Sequence, residues 1–236
     1  MTVSLFGRYI ASLTAMSAAS LLVVSVAYAH LPNWGEPGGE NHIDDIDVSV
    51  AFYQDIEEGS QVDTFTFQGE AGQHLHAGIN IPAVAGLEDY GVTMALLGPG
   101  LPPAGLAGLP VEPTDVAGAL IFPTEQGENF FEPFTQTRYW GRQTVEMGLP
   151  ASGEYHLMVW NLDGRTGKYV IDIGEKEEFG LLGFLKLPYW WVKVHRFFGH
   201  NTYLALLAVG GLLLAVAVAA LVVRRRRGGR LKQRPA

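Results

Sequence analysis

The chain of 236 residues contains no cysteine. This absence excludes disulfide bonds and a cysteine nucleophile. The sequence also lacks a Gly-x-Ser-x-Gly elbow, a His-Glu-x-x-His pair and a glycine-rich phosphate loop that opens a helix. We therefore expect a protein without catalytic activity.

Basic residues are scarce between Glu36 and Glu178, where all 24 acidic residues lie beside only five basic ones. The net charge of this part is therefore −19, although the whole chain carries only −8. A surface of this sign repels nucleic acid and favours cations. No nucleic-acid partner is expected.

The amino-terminal residues have the pattern of an export signal. Arg8 is the only charge, an apolar stretch follows over residues 10–26, and Ala27-Tyr28-Ala29 provides small residues for a signal peptidase. The pattern predicts a signal peptide over 1–29 and a mature chain that begins at His30. An uncleaved anchor helix is the alternative.

Residues 202–223 form an uncharged run near the other end of the chain. Such a helix spans about 33 Å, enough to cross a hydrocarbon core of about 30 Å. The tail over 224–236 carries seven basic residues, which predicts that it is cytoplasmic. We expect a single-pass protein of the cell membrane with its amino terminus outside.

Gly211, Ala215 and Ala219 stand four residues apart and offer a surface for a homodimer through this helix.

Residues 176–201 combine aromatic and basic side chains, which is typical of the lipid headgroup region. We expect a short interfacial helix that is broken near Pro188. A partner-binding helix is the alternative.

The segment over 48–175 shows apolar residues at every second position, separated by glycine-containing turns. Alternation of this kind predicts half-buried strands. No helical period competes with it, so we expect an all-β fold, an antiparallel β-sandwich ectodomain. The predicted strands lie near 48–54, 61–69, 73–81, 91–98, 117–122, 142–148, 153–161 and 167–174.

Two stretches, VDTFTFQGEAGQHLHAGI and ASGEYHLMVWNLDGRTGKYVIDIG, are similar to the bacterial pre-peptidase C-terminal (PPC) domain. The resemblance covers roughly residues 48–174, and its motifs are turns and core positions. It implies a jelly-roll-like sandwich and a non-catalytic module; some members of that family depend on calcium and bind collagen. Here the domain is not joined to a peptidase, and it is attached to a predicted membrane helix.

Three histidines are candidate metal ligands. His74 and His76 alternate with Leu75 and therefore share one face of a strand, with Cα atoms roughly 6.5–7 Å apart. Together with His30 at the predicted amino terminus, they would resemble the copper-binding histidine brace of certain exported proteins. The alternative is a strand that simply exposes two imidazoles to water.

An acidic leader over 30–47 offers oxygen ligands of the kind that calcium prefers, but it lacks the spacing of a calcium-binding loop. We expect a solvated segment before the first strand, and this is where calcium would bind if it binds at all. The candidate ligands are Glu36, Glu40, Asn41, Asp44, Asp45 and Asp47.

The predicted loop over 123–141 is rich in aromatic residues, which suit a platform for sugar rings or for a partner protein. The alternative is that they fold back over the edge of the sandwich. The residues are Phe130, Phe131, Phe134, Tyr139 and Trp140.

The sequence thus predicts a membrane-anchored extracytoplasmic module that binds or scaffolds a protein or glycan partner outside the cell membrane. A copper-handling protein is the second hypothesis, and a carbohydrate-binding module is the third.

Overall fold

A computed structural model describes residues 30–103, 108–110, 118–133, 135–178 and 180–231. The predicted signal peptide and Phe134 lie outside the described residues. The chain forms two compact units, residues 1–194 and residues 195–236.

The first unit contains eleven strands within the described residues, and two helices follow them in the chain. The strands are β1 Leu31–Asn33, β2 Glu40–His42, β3 Val50–Ile56, β4 Val62–Gly69, β5 His74–Pro82, β6 Thr93–Gly98, β7 Gly118–Phe122, β8 Asn129–Glu132, β9 Thr137–Gly148, β10 Gly153–Trp160 and β11 Gly167–Ile173. The helices are α1 Leu181–Phe197 and α2 Tyr203–Leu231.

The strands form two sheets that enclose one core. The six-stranded sheet has the order β1-β3-β11-β5-β9-β8, and the five-stranded sheet has the order β2-β4-β10-β6-β7. Alternate side chains such as Phe65, Leu75, Ile79, Leu157 and Ile171 fill the space between them and are almost fully buried. The predicted β-sandwich is confirmed, and all eight predicted strands are present.

The leader over 30–47 differs from the prediction, because it is not a solvated segment. It contributes β1 and β2, which pair in parallel with β3 and β4 and become an edge of each sheet. Each of these strands has only three residues, too few to show an alternating pattern. Ile43 and Ile46 of the same segment are buried in the core.

Strand β9 begins at Thr137, five residues earlier than the sequence predicts. Opposite it, the pairing shifts between Gly78 and Asn80, which leaves one extra residue in β9 near Gly141. A bulge of this kind interrupts the period of two. Because of this interruption, the alternating pattern does not reveal the first half of β9. The short strand β8, which pairs with that half, is not revealed either.

Helix α1 continues through Pro188, so the predicted break is wrong. Proline has no backbone N–H to donate inside a helix, and α1 continues despite this loss. In α2, the stretch Tyr203–Leu221 is long and apolar enough to span a membrane by length and composition. It corresponds to the predicted membrane segment over 202–223.

Candidate functional site

The outer face of the six-stranded sheet carries most of the predicted site residues. On β5, His74 and His76 point outward, whereas Leu75 and Ala77 between and after them are fully buried in the core. The outward orientation of both histidines follows from this alternation.

His74 and His76 meet one carboxylate from the neighbouring strand. Glu146 on β9 lies directly opposite His76. Its two oxygens lie 2.9 Å from His74 Nε2 and 2.5 Å from His76 Nδ1. Glu175, just after β11, places an oxygen 3.9 Å from His74 Nε2. Nitrogen and oxygen atoms of His76, Glu146 and Glu175 lie within 4.8 Å of one another, and this is the one such group of possible metal ligands in the part of the chain described.

The second nitrogen of His76 is held by a partly buried carboxylate. His76 Nε2 lies 2.9 Å from Asp172 Oδ2 on β11. The side-chain amide of Asn80 donates a hydrogen bond to the other oxygen of Asp172. Gly78 stands between His76 and Asn80 on the same face, and a Cβ atom there would lie 2.9 Å from Asp172 Oδ2. The absence of a side chain at Gly78 therefore leaves the space that Asp172 occupies.

The electrostatics of this cluster favour a charged imidazole. The hydrogen bond to Asp172 and then that to Glu146 raise the pKa of His76 to about 9, against the opposing effect of burial. The hydrogen bond from His76 lowers the pKa of Glu146. Without a bound ion, His76 is therefore protonated at neutral pH and lies between two carboxylates.

His30 is not brought together with His74 and His76. It lies directly before β1, where its Nδ1 is 2.5 Å from the hydroxyl of Ser49. Strands β3 and β11 separate β1 from β5. Three interstrand spacings correspond to roughly 14 Å between backbones. This distance separates His30 from the other two members of the predicted brace.

A cavity of about 230 Å³ lies on the same outer face, on the other side of Asp172. Its floor includes Ala51 and Val170, which alternate with core residues of β3 and β11. The segment around β8 forms its wall, where Phe130 stacks on Tyr139 with ring centroids 5.6 Å apart. The other side chains that contribute polar or aromatic groups are His30, Tyr53, Asn80, Phe131, Glu132, Thr135 and Asp172.

The phenol groups of this cavity are neutral donors and acceptors. The hydroxyl oxygens of Tyr53 and Tyr139 lie 3.3 Å apart. Burial raises the pKa of Tyr139 to about 12, and burial also raises the pKa of Tyr53 well above its usual value. The acidic groups of the cavity are the carboxylates of Glu132 and Asp172.

The predicted aromatic platform is only partly assembled. Phe130 and Phe131 on β8 are 40% and 50% exposed. Tyr139 is buried, and Trp140 packs against the core between the sheets. The rings of Phe130 and Phe131 are thus accessible at the surface, whereas those of Tyr139 and Trp140 pack inside the protein.

Three of the predicted calcium ligands, Asp44, Asp45 and Asp47, line one surface pocket together with Glu70 and Gln73, whereas Glu36 and Glu40 do not line it. Asp45 and Asp47 belong to one turn, in which the backbone N–H of Asp47 donates to Asp45 Oδ1 at 2.9 Å. Asp47 also accepts a hydrogen bond from Gln73 at 3.0 Å. Glu36 lies before β2, and its backbone N–H donates a hydrogen bond to the side chain of Asn41. Glu40 is exposed on β2, and Asp44 is exposed beside the turn.

Four polar residues of the histidine cluster are not among the predicted site residues: Asn80, Glu146, Asp172 and Glu175. One signal was available, because Asp172 interrupts the apolar run of β11 between Ile171 and Ile173. A charged residue within such a run implies a polar partner on the outer face. The identity of that partner depends on strand order, which the sequence does not reveal.

No protein-family model and no curated protein sequence matches the chain. Three solved structures show a weak likeness of fold. Aeromonas hydrophila PliG, a periplasmic inhibitor of g-type lysozyme, is 14% identical with a TM-score of 0.32, over 57% of this chain and 96% of PliG. The pre-peptidase C-terminal domain of a Bacillus anthracis collagenase is 14% identical with a TM-score of 0.30, over 58% and 96%. CorA of Methylomicrobium album BG8, a surface-associated copper-binding protein, is 10% identical with a TM-score of 0.29, over 58% and 98%. These likenesses concern the fold alone.

Proposed function

We propose that the protein is a membrane-anchored, extracytoplasmic binding module without catalytic activity, and that its ligand enters the cavity on the outer face of the six-stranded sheet. The observation that carries the proposal is the cavity of about 230 Å³ between this face and the segment around β8. A concave site with an apolar floor and a few oriented polar groups is typical of ligand binding.

The chemistry of the cavity favours a small ligand with a positive charge and an apolar body. Aromatic faces attract cations through their quadrupoles. Phe130 is 40% exposed and offers an aromatic ring at the cavity, and Glu132 and Asp172 supply negative charge. Glu132 is held in place because Thr135 donates to it from its backbone N–H at 2.6 Å and from its hydroxyl. The acidic ectodomain also attracts cations over longer distances.

The test uses the full chain in lipid nanodiscs and ligand-observed NMR. Tetramethylammonium and its neutral analogue tert-butanol are compared, and cellobiose probes the carbohydrate alternative. We expect saturation transfer to tetramethylammonium that Phe130→Leu and Glu132→Gln each reduce severalfold. Leu162→Ala removes a side chain that is 70% exposed outside the cavity and is the matched control.

Each outcome has a defined meaning. Transfer to tetramethylammonium that is lost in both cavity variants and kept in the control supports the proposal. Equal transfer to tert-butanol contradicts the charge argument. Transfer to cellobiose alone, or to none of the three probes, overturns the proposed site.

A further inference from the structure

The histidine cluster offers a set of donor atoms that suits a transition metal. Donor atoms of His76, Glu146 and Glu175 lie within 4.8 Å of one another, and His74 Nε2 borders this group at 2.9 Å from Glu146 and 3.9 Å from Glu175. Imidazole nitrogen together with carboxylate oxygen is the donor set of Zn²⁺ and Cu²⁺ sites in proteins.

His76 also has the support that metal-bound histidines need. Ligating histidines almost always donate their other ring N–H to a carboxylate or carbonyl, which fixes the ring and its tautomer. Asp172 accepts in this way from His76 Nε2, and Asn80 fixes Asp172 in turn. This arrangement leaves His76 Nδ1 facing Glu146, and a metal ion that binds there displaces the Nδ1 proton of His76.

Glu175 reaches the cluster through a turn that requires glycine. Gly174 has a φ of +74°, and a Cβ atom there would lie 2.4 Å from the carbonyl oxygen of Val48. The backbone N–H of Gly174 donates to the carbonyl of His76 at 3.1 Å. The turn thus fixes the end of β11 beside β5 and directs the chain so that Glu175 approaches His74.

The cluster carries an excess of negative charge. Three carboxylates, those of Glu146, Asp172 and Glu175, surround the two imidazoles. The two lysines near the ends of β11 form ion pairs elsewhere: Lys168 lies 3.1 Å from Asp55, and Lys176 lies 2.6 Å from Glu178. A divalent cation would neutralise the excess.

We propose that His74, His76, Glu146 and Glu175 bind one divalent transition-metal ion, Cu²⁺ or Zn²⁺, and that Asp172 positions His76 for this task. The inference goes beyond the proposed function, because this site lies across Asp172 from the cavity and needs no ligand there. Metal–ligand bonds of about 2.0–2.2 Å require donors roughly 3.3–3.5 Å apart. The side chains of Glu146 and Glu175 are 50% and 65% exposed and are free to close this distance.

The test measures metal binding to the full mature chain, purified in detergent without a histidine tag. We expect one Cu²⁺ per chain by calorimetry and nitrogen hyperfine coupling in its electron paramagnetic resonance spectrum. Zn²⁺ should compete more weakly, in keeping with the general order of metal affinities. His76→Gln and Glu146→Gln should each weaken binding at least about tenfold, and Asp172→Asn about 10–100-fold.

Two matched controls separate this site from other histidines. His156 on β10 lies 3.4 Å from Glu154 on the other sheet, so His156→Gln removes a similar histidine–carboxylate pair elsewhere. His30→Gln removes the predicted amino-terminal ligand. Both controls should bind Cu²⁺ as the unmodified chain does. If His76→Gln fails to fold, Glu175→Gln replaces it as the ligand variant, because Glu175 lies at an exposed position.

The positioning role of Asp172 has its own readout. Asp172→Asn should change the copper hyperfine constants of the metal that still binds, and Asp172→Glu should restore the spectrum in part. The absence of stoichiometric Cu²⁺ or Zn²⁺ overturns the proposal. Binding that survives His76→Gln but is lost in His30→Gln also overturns it, in favour of a site at the amino terminus. Neither result would affect the cavity, whose test uses different probes and variants.

Discussion

Gly78 and Asp172 lie opposite each other on β5 and β11, and the carboxylate of Asp172 occupies the space above Gly78. Both carboxylate oxygens lie 2.9–3.0 Å from the position that a Cβ atom would take. One residue without a side chain thus allows Asp172 to reach His76 and Asn80 at the same time. Glycine is required at position 78 because a side chain would collide with Asp172, and not because of its backbone conformation, which is ordinary for a strand.

The change Gly78→Ala should therefore displace Asp172 and weaken its support of His76. Overpacking of this kind costs about 1–3 kcal/mol in the free energy of unfolding. Urea unfolding of the full chain measures the cost. Gly141→Ala is the matched control in the same sheet, because the nearest atom to its Cβ position is 3.8 Å away. Equal effects of the two substitutions would contradict the argument.

The metal-free protein should lose stability as the pH rises from about 6.5 to about 9. The pKa of His76 is about 9 in the folded protein and about 6.5 in the unfolded chain, so its stabilisation is fully present below pH 6.5 and is lost as the pH passes 9. The shift sets an upper limit of about 3 kcal/mol, which solvent screening reduces to about 1–2 kcal/mol. Thermal unfolding in EDTA should show a melting temperature that falls by about 2–8 °C across this range.

The variant Asp172→Asn provides the comparison for this pH dependence, because Asp172 is the largest cause of the raised pKa of His76. The other titratable groups that face His76 are Glu146, His74 and Glu175. A slope that is unchanged in Asp172→Asn would assign the pH dependence to groups other than His76.

The hydroxyl of Tyr169, which donates to the buried Asp63, should contribute more to the free energy of unfolding than the hydroxyl of Tyr155. Asp63 is fully buried and accepts from Tyr169 at 2.6 Å, from the backbone N–H of Gly38 at 2.6 Å and from Gln61 at 2.8 Å. Removing a partner from a buried charged acceptor costs about 1.5–3 kcal/mol. Tyr169→Phe should therefore destabilise the protein by about this amount in urea unfolding.

Tyr155 is the matched control for Tyr169, since both rings are fully buried. The hydroxyl of Tyr155 donates to neutral carbonyl oxygens, those of Ala151 at 2.7 Å and Pro99 at 3.0 Å. Such neutral hydrogen bonds contribute about 0.5–1.5 kcal/mol. A cost of Tyr155→Phe equal to or above that of Tyr169→Phe would show that the charge on Asp63 has no special effect.

The sandwich could be predicted because its central strands alternate strictly. Leu75, Ala77 and Ile79 on β5, or Tyr169 and Ile171 on β11, give the period of two directly, and glycine-containing turns mark the ends. Three of the four edge strands, β1, β2 and β8, could not be predicted in the same way. β1 and β2 are too short to show a period, and the bulge opposite Gly78 breaks the period of β9.

Alternation also predicts part of the histidine cluster, namely the face of the sheet on which the histidines lie. Alternation within one strand decides which face His74 and His76 occupy, and that part of the prediction needs no tertiary information. Their partners Glu146 and Asp172 come from β9 and β11, 70 and 96 residues away from His76. Long-range pairing of this kind depends on strand order. His30 shares no such alternation with these histidines, and two strands separate it from them.

Helix α1 should be held against the sandwich by a cation–π contact. Lys193 Nζ lies 3.8 Å from the centroid of the Trp34 ring, and Trp34 stacks on Tyr53 at 5.4 Å. Such a contact is worth about 0.5–2 kcal/mol. Lys193→Met should therefore speed hydrogen exchange of the backbone amides of α1 between Tyr189 and Val194 by about 2–30-fold. Lys186→Met, at an exposed position of the same helix, should leave these amides unchanged, and equal rates in the two variants would count against the contact.

The orientation of the chain in the membrane can be tested cleanly because the protein has no cysteine. Ser60 lies exposed in the turn between β3 and β4, and Gln233 belongs to the basic tail. Since basic tails stay on the cytoplasmic side, a membrane-impermeant maleimide should label Ser60→Cys in intact spheroplasts. It should label Gln233→Cys only after the membrane is permeabilised. The reverse pattern would place the sandwich in the cytoplasm, where the proposed extracytoplasmic function would fail, whereas metal binding measured on the purified chain would be unaffected.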